Sequence, residues 1–169
     1  MRLIKEKKIV DESVKIDFLT NIFSSFFFTG YFPKASGTVA SAASLLIFLF
    51  KPFHDPLILF LLILVCFILG ILTSKLMIKR FGDDPSVVVI DESVGVWITV
   101  LVFLLFSYSD LSLIYLTGCF FAFRFFDISK IQPAKYFDDL HSALGIMMDD
   151  VIAGIYAGAS VCLLSFIFN

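Results

Sequence analysis

Charge is what this sequence has least of. Asp, Glu, Lys and Arg make up 17% of its 169 residues, where a soluble domain carries about 25%. The formal net charge is −2, so a basic surface for nucleic acid is excluded, as is a solvated disordered chain. Histidine is nearly absent, with 2 residues, and cysteine is limited to 3. Cys66, Cys119 and Cys162 each sit inside apolar runs without paired spacing. They read as small buried hydrophobes rather than a disulfide framework, a zinc site or a catalytic thiol. No Pro-, Gly- or Ser-rich linker divides the chain, no internal repeat is visible, and the length suits one domain. What remains is apolar: 59% hydrophobic residues, 22 Phe and a mean hydropathy of +0.97. These values describe a membrane protein.

Uncharged stretches at 18–33, 35–50, 56–74, 93–109, 111–123 and 151–169 set the organisation. A helix crossing the hydrocarbon core needs roughly 20 residues, about 17 at the short end. Only 56–74 and 151–169 reach that alone; the others draw polar or charged residues into their ends. Asn21, Ser24, Ser25 and Gly30 make 18–33 a poor span, so it reads as an interfacial or re-entrant helix. Positive residues in short loops then orient the rest. Arg2, Lys5, Lys7, Lys8, Lys15 and Lys34 flank the first run, and Lys75, Lys79 and Arg80 follow 56–74. Arg124, Lys130 and Lys135 lie between the last two runs. The reading is an all-α, small polytopic helical membrane protein of about five transmembrane helices, at 38–50, 57–74, 93–109, 111–126 and 151–168. Residues 1–17 form a cytoplasmic amino-terminal segment and 18–169 a single membrane domain, with every basic residue except Lys51 cytoplasmic. A cleaved signal ending near Ala40-Ser41-Ala42 is the competing reading of the start. Glu6, Asp11, Glu12 and Asp17 ahead of it argue against that.

The acids fall on the same side of this topology, which was oriented by Lys and Arg alone. Asp91 and Glu92 open the third span, Arg124 and Asp127 close the fourth, and Asp149 and Asp150 open the fifth. Thr38 and Ser41 open the first, after Gly37. A carboxylate at mid-membrane costs about 2.5–3.5 kcal/mol, and five near one another must share protons or a cation. Carboxylates without His or Cys favour a hard, oxygen-liganded ion, Mg²⁺. Arg124, Lys130 and the helix start at Gly37-Thr38 supply positive potential for an anionic group. Acids for Mg²⁺ beside bases for phosphate, at a membrane face, point to phosphoryl chemistry on a lipid headgroup. Plainer readings stand beside this one. Asp83, Asp84 and Asp139 read as solvated loop residues, and Arg124 with Asp127 is a structural ion pair if taken alone. Asp91-Glu92 and Asp149-Asp150 could each be helix N-terminal acids, which is strained for both pairs together. Trp97 and the phenylalanines read as packing or lipid-facing residues, Gly95, Gly145 and Gly154 as sites of close helix approach. His141 stays open between a surface and a functional role.

At these residues the sequence resembles a known family. Val-Ile-Asp-Glu-Ser-Val-Gly-Val-Trp-Ile-Thr (89–99) resembles the Asp-Glu-x-x-Gly-x-Trp-Ile motif of phosphatidylglycerophosphatase A. Phe-Arg-Phe-Phe-Asp-Ile-Ser-Lys-Ile-Gln-Pro (123–133) is similar to its Arg-x-x-Asp-x-x-Lys-Pro-x-Pro motif. Gly-Ile-Met-Met-Asp-Asp-Val-Ile-Ala-Gly (145–154) follows its Asp-Asp signature almost letter for letter, and Ser-Gly-Thr-Val-Ala-Ser (36–41) resembles its Pro-Gly-Thr-x-Gly-Ser. The resemblance covers roughly residues 30–160, with the motifs in order. It implies a Mg²⁺-dependent phosphatase of the bacterial inner membrane, multi-pass with its site on the cytoplasmic face. The reaction would convert phosphatidylglycerophosphate to phosphatidylglycerol and phosphate in phospholipid biosynthesis. It further implies that Asp91, Glu92, Asp127, Asp149 and Asp150 form the acidic, metal-holding site. Arg124 and Lys130 would bind phosphate, with Thr38 and Ser41 near them, and Asp138 is a weaker candidate. Ser36, Ala40 and Ile131 depart from the family pattern, which puts the shape of the first loop in question but removes no acid.

Other phosphatase designs are missing: there is no Cys-x5-Arg loop, no Asp-x-Asp-x-Thr, no His after Ser36-Gly37 and no Asp-Gly…Ala-Arg pattern. Two rivals remain. A small cation or proton transporter would spread acids through the membrane depth, and a non-catalytic subunit would use them structurally.

Overall fold

The computed structural model describes residues 11, 13–82, 85–107 and 110–168. Arg2, Lys5, Glu6, Lys7, Lys8, Glu12, Asp83, Asp84, Ser109 and Asn169 lie outside the described residues. Among the described residues all regular structure is helical, with no strand. The α-helices are α1 (Phe18–Ser24), α2 (Ser36–Ser44), α3 (Pro56–Phe81), α4 (Ile90–Phe106), α5 (Leu113–Ser129), α6 (Ala134–Asp138) and α7 (Ala143–Phe168). Short 3-10 turns occupy Thr29–Tyr31, Leu45–Leu49 and Lys51–His54.

The long helices are delimited by local chemistry. Asp55 caps α3, its carboxylate accepting from the amides of Leu57 at 2.8 Å and Ile58 at 3.1 Å, with Pro56 at the first turn. Gly82 ends it at φ 92 behind Lys79 and Arg80. The outer side of α3 exposes Leu57, Phe60, Leu61, Leu64, Val65, Ile68 and Leu72. So large an apolar face belongs against lipid.

Among the described residues two helices are long and apolar enough to cross a membrane, α3 and α7, and not the five expected. The first expected span, at 38–50, is divided: α2 ends at Ser44 and continues only as 3-10 turns. The third and fourth, α4 and α5, have 17 residues each. At 1.5 Å per residue that is about 26 Å, against a hydrocarbon core of about 30 Å. α4 takes Asp91 and Glu92 into its first turn and ends at Phe106, capped by Ser107, and α5 stops at Lys130, which is left-handed at φ 45.

The amino-terminal run does not cross either. α1 has 7 residues and is capped by Asp17, which accepts from the Thr20 amide at 3.0 Å and its hydroxyl at 2.6 Å. Phe26, Phe27 and Phe28 then take φ of 42, 56 and 67, a left-handed turn costing about 1–2 kcal/mol per residue. It persists because its surroundings hold it. The Phe27 amide donates to Ile22 O at 2.8 Å, Phe28 to Ser25 Oγ at 3.1 Å, and the Phe26 ring packs edge-on against Trp97 at 5.9 Å. The segment is also tied to the approach to α4, where the Val89 amide donates to Ser24 O at 2.9 Å. Backbone meets backbone at Gly30, where a Cβ would run into Val87.

α4 is the central helix, buried on nearly every side from Ser93 to Leu101, and α2, α3, α5 and α7 surround it. Its Trp97 indole donates to Ser44 O at 2.9 Å. Its approach to α7 is a glycine contact. A Cβ on Gly154 would strike Gly95 O, one on Gly158 would lie 2.9 Å from Thr99 O, and one on Gly95 would reach Asp150 O at 3.0 Å. Small residues one turn apart let two helix backbones touch, and here that contact sets Asp150 against α4. Gly154→Val is therefore expected to lower stability by about 1–3 kcal/mol. Gly118→Ala, whose added Cβ meets nothing nearer than 4.0 Å, should raise it by up to about 1 kcal/mol. Thermal unfolding of both variants in detergent checks the contrast.

Candidate active site

At one end of the bundle the start of α4, the end of α5 and the first turns of α7 enclose a polar cavity of about 290 Å³. Asp91, Glu92, Asp127, Asp149 and Asp150 all line it, with Lys130, Asp138 and His141. The five acids expected from the sequence are thus brought together from three helices. They are deeply placed: Asp149 is 5% exposed and Asp150 2%.

Two cations serve these five carboxylates. Arg124 lies one turn before Asp127 on α5 and pairs with it at 2.9 Å. The same Nη1 bonds Glu92, joining α5 to α4. Lys130 is turned back by its left-handed backbone and bonds Asp149. It also lies 3.5 Å from both Asp127 and Asp138. Burial opposes the charge on Lys130, yet Asp150, Asp149 and Asp127 outweigh it and push its pKa upward. The ammonium therefore remains a cation facing the cavity.

Ser41 and Gly37 shape the seat of Glu92. Ser41 Oγ lies 3.1 Å from Glu92 Oε2 and 2.8 Å from Gly37 O, its proton shared between two acceptors. A Cβ on Gly37 would collide with the Glu92 carboxylate. Of the expected phosphate-binding residues, only Lys130 lines the cavity. Arg124 and Ser41 stand behind Glu92, and Thr38 makes no side-chain hydrogen bond and lies away from the cavity wall. The resemblance gives Arg124 and Lys130 as phosphate partners with Thr38 and Ser41 near them, and of these four Lys130 faces the cavity. Arg124 Nη1 is engaged by Glu92 and Asp127, while its Nε is buried without a hydrogen-bond partner among the described residues.

Ser36 and Ser86 are residues that motif reading did not assign to the site. Both line the cavity, joined by Ser36 Oγ donating to Ser86 O at 3.2 Å. Ser86 belongs to no quoted motif, and no sequence signal marks it. His141, left open by the sequence, lines the cavity in a left-handed conformation at φ 46, with Nδ1 3.2 Å from Asp138 O. A carbonyl only accepts, so this nitrogen carries a proton.

The acidic side chains suit a hard divalent cation: with Asp138 there are six carboxylates, answered among the described residues by Arg124 and Lys130. Asp91 Oδ1 and Asp150 Oδ1 are buried without a hydrogen-bond partner. Among the described residues no three acids, His or Cys are placed to hold one ion with their side chains as they stand. Glu92, Asp127 and Asp149 are turned toward Arg124 and Lys130 instead.

Comparison with known proteins bears on the same residues. The phosphatidylglycerophosphatase A family model matches residues 22–165. A protein of Bacteroides thetaiotaomicron, provisionally named as a phosphatidylinositol-3-phosphatase, is 32% identical over 83% of this chain and 89% of its own length. The phosphatidylglycerophosphatase A of Haemophilus influenzae is 41% identical over 55% of each chain. That of Escherichia coli is 25% identical over 90% of this chain and 87% of its own. No solved structure matches. With a family match running across all three helices that build the acidic cavity, the chain belongs to the phosphatidylglycerophosphatase A family and is a phosphatase.

Proposed function

We propose that this chain hydrolyses the terminal phosphate monoester of phosphatidylglycerophosphate to phosphatidylglycerol and phosphate, with Mg²⁺ as cofactor. The observation that carries the reading is the convergence of six carboxylates, the five expected and Asp138, and one forward-facing lysine on a single cavity at one end of an apolar helical bundle. Clustering at one end, rather than through the bundle's depth, also supports phosphoryl chemistry over ion transport. The enzyme would sit in the bacterial inner membrane with this end at the cytoplasmic face, the side on which Lys and Arg of short loops are expected. α4 and α5 would complete the crossing with their polar ends at the headgroup level.

Asp91 and Asp150, each with an unpartnered buried oxygen, are the residues we assign to the divalent cation. That ion would supply Lewis acidity toward the phosphoryl oxygens and make the attacking water more acidic. Lys130 faces the cavity and meets the charge that develops on the equatorial oxygens. Asp149, held in place by Lys130, accepts the proton of the attacking water. Arg124 acts one step back, as a positioning residue that holds Glu92 and Asp127.

The Bacteroides relative's name favours a second reading of the substrate, a phosphorylated inositol lipid. Phosphate release by the detergent-solubilised enzyme from phosphatidylglycerophosphate and from phosphatidylinositol-3-phosphate, side by side, tests the choice. The larger kcat/KM is expected on phosphatidylglycerophosphate, and the reverse order would move the assignment to the inositol lipid. Release is expected to stop with EDTA and return with Mg²⁺. Asp150→Asn should lower kcat by about 100-fold or more while the protein still unfolds at its usual temperature. Arg124→Met should do the opposite in kind. It leaves Glu92 without its cation and Asp127 with Lys130 alone, a loss of up to about 3 kcal/mol read as a fall in unfolding temperature.

A further inference from the structure

A second cavity lies on the other side of the α4 amino terminus. It measures about 530 Å³, and its walls are apolar: Phe23, Phe26, Cys66, Leu69, Ile90 and Trp97 among them, contributed by α1, the left-handed turn, α3 and α4. Thr20 and Thr73 are its only hydroxyl-bearing residues and it holds no charge. Its size lies within the range of small-molecule sites.

Two observations tie it to the acidic site. Ile90 lines this groove, and the next residue, Asp91, lines the acidic cavity. Successive residues on a helix point about 100° apart, so the first turn of α4 is the ridge between an apolar and a charged chamber. The second observation is the rim. Phe26 and Phe27 line the groove from three consecutive left-handed residues, a conformation that survives only where surroundings impose it. Phe27 is 73% exposed and Leu19, also on the rim, 73%, so the groove opens toward the apolar surface of the molecule. The same segment is bonded to the acid-bearing helix through Val89 and Ser24.

From this juxtaposition we infer that the groove between α1, the Phe26–Phe28 turn, α3 and α4 holds one acyl chain of the lipid whose phosphate enters the acidic cavity. The inference rests on the lipid-phosphatase reading above. One amphipathic molecule straddles the Ile90–Asp91 ridge, with its headgroup among the carboxylates and its chain along Cys66 and Trp97. A chain in lipid or detergent is already out of water, so its seating would contribute through van der Waals fit against a fixed wall.

Two phosphatidylglycerophosphates test this, one with long acyl chains and one the water-soluble dihexanoyl form. Turnover of neither by the unmodified enzyme would be a failure of the functional reading, separate from the groove. Given turnover, Cys66→Trp narrows the groove by more than two methylenes. The ratio of kcat/KM on the long-chain to the short-chain substrate should then fall about fivefold. An unchanged ratio overturns the proposal. Should that variant not fold, a long-chain substrate carrying a mid-chain diazirine is photolysed on the unmodified protein. Crosslinks are expected at residues 62–69 and 19–27, suppressed by excess unlabelled phosphatidylglycerophosphate and not by phosphatidylcholine. Crosslinks spread over the outer face of α3, indifferent to both competitors, would overturn it as well.

Discussion

Five carboxylates at the meeting point of three helices, Asp127, Asp149 and Asp150 buried and Asp91 and Glu92 half-buried, with two cations to answer them, constrain everything else in this structure. Burying a carboxylate without compensation is expensive, and like charges add to the cost. Arg124 and Lys130 resolve part of it, each shared between acids of different helices, so the ion pairs double as the ties that hold α4, α5 and α7 at this end. What they leave over falls on Asp91 and Asp150. A protein that keeps such an imbalance does so for chemistry, and phosphoryl transfer, whose demand is electrostatic, is the chemistry that uses it.

The rest of the fold places those charges. Glycine contact between α4 and α7 brings the Asp150 backbone to within reach of Gly95. The left-handed close of α5 turns Lys130 back over the cavity. The amino-terminal segment, too short to cross, folds onto the approach to α4 and fixes where the acid pair begins. The two longest helices present apolar faces outward, so the polar end is carried by a scaffold solvated by lipid.

Much of this was legible in the chain. The acids lie where charge interrupts apolar runs, and their assignment to one face followed from the placement of Lys and Arg alone. The motifs around Asp91-Glu92, Arg124-Asp127-Lys130 and Asp149-Asp150 pointed to the family that the comparisons identify. Side-chain direction was not legible. Arg124 and Lys130 are equally cationic in sequence, and only the left-handed backbone at Lys130 sends one to the cavity while the other backs the acids. Thr38 shares a motif with Ser41 but lies outside the hydrogen-bond network. Ser86 sits in a connecting loop without a pattern. Span count failed for a related reason: hydropathy marks apolar stretches, whereas the 3-10 break after Ser44 depends on tertiary packing.

The charge imbalance can be measured directly. Mn²⁺, a spectroscopic substitute for Mg²⁺, titrated into the purified protein and followed by electron paramagnetic resonance, reports free and bound ion separately. The account predicts saturable binding, competed by Mg²⁺, that weakens at least tenfold when Asp91 and Asp150 are both changed to Asn and the protein remains folded. No saturable binding to the folded, unmodified protein would contradict it.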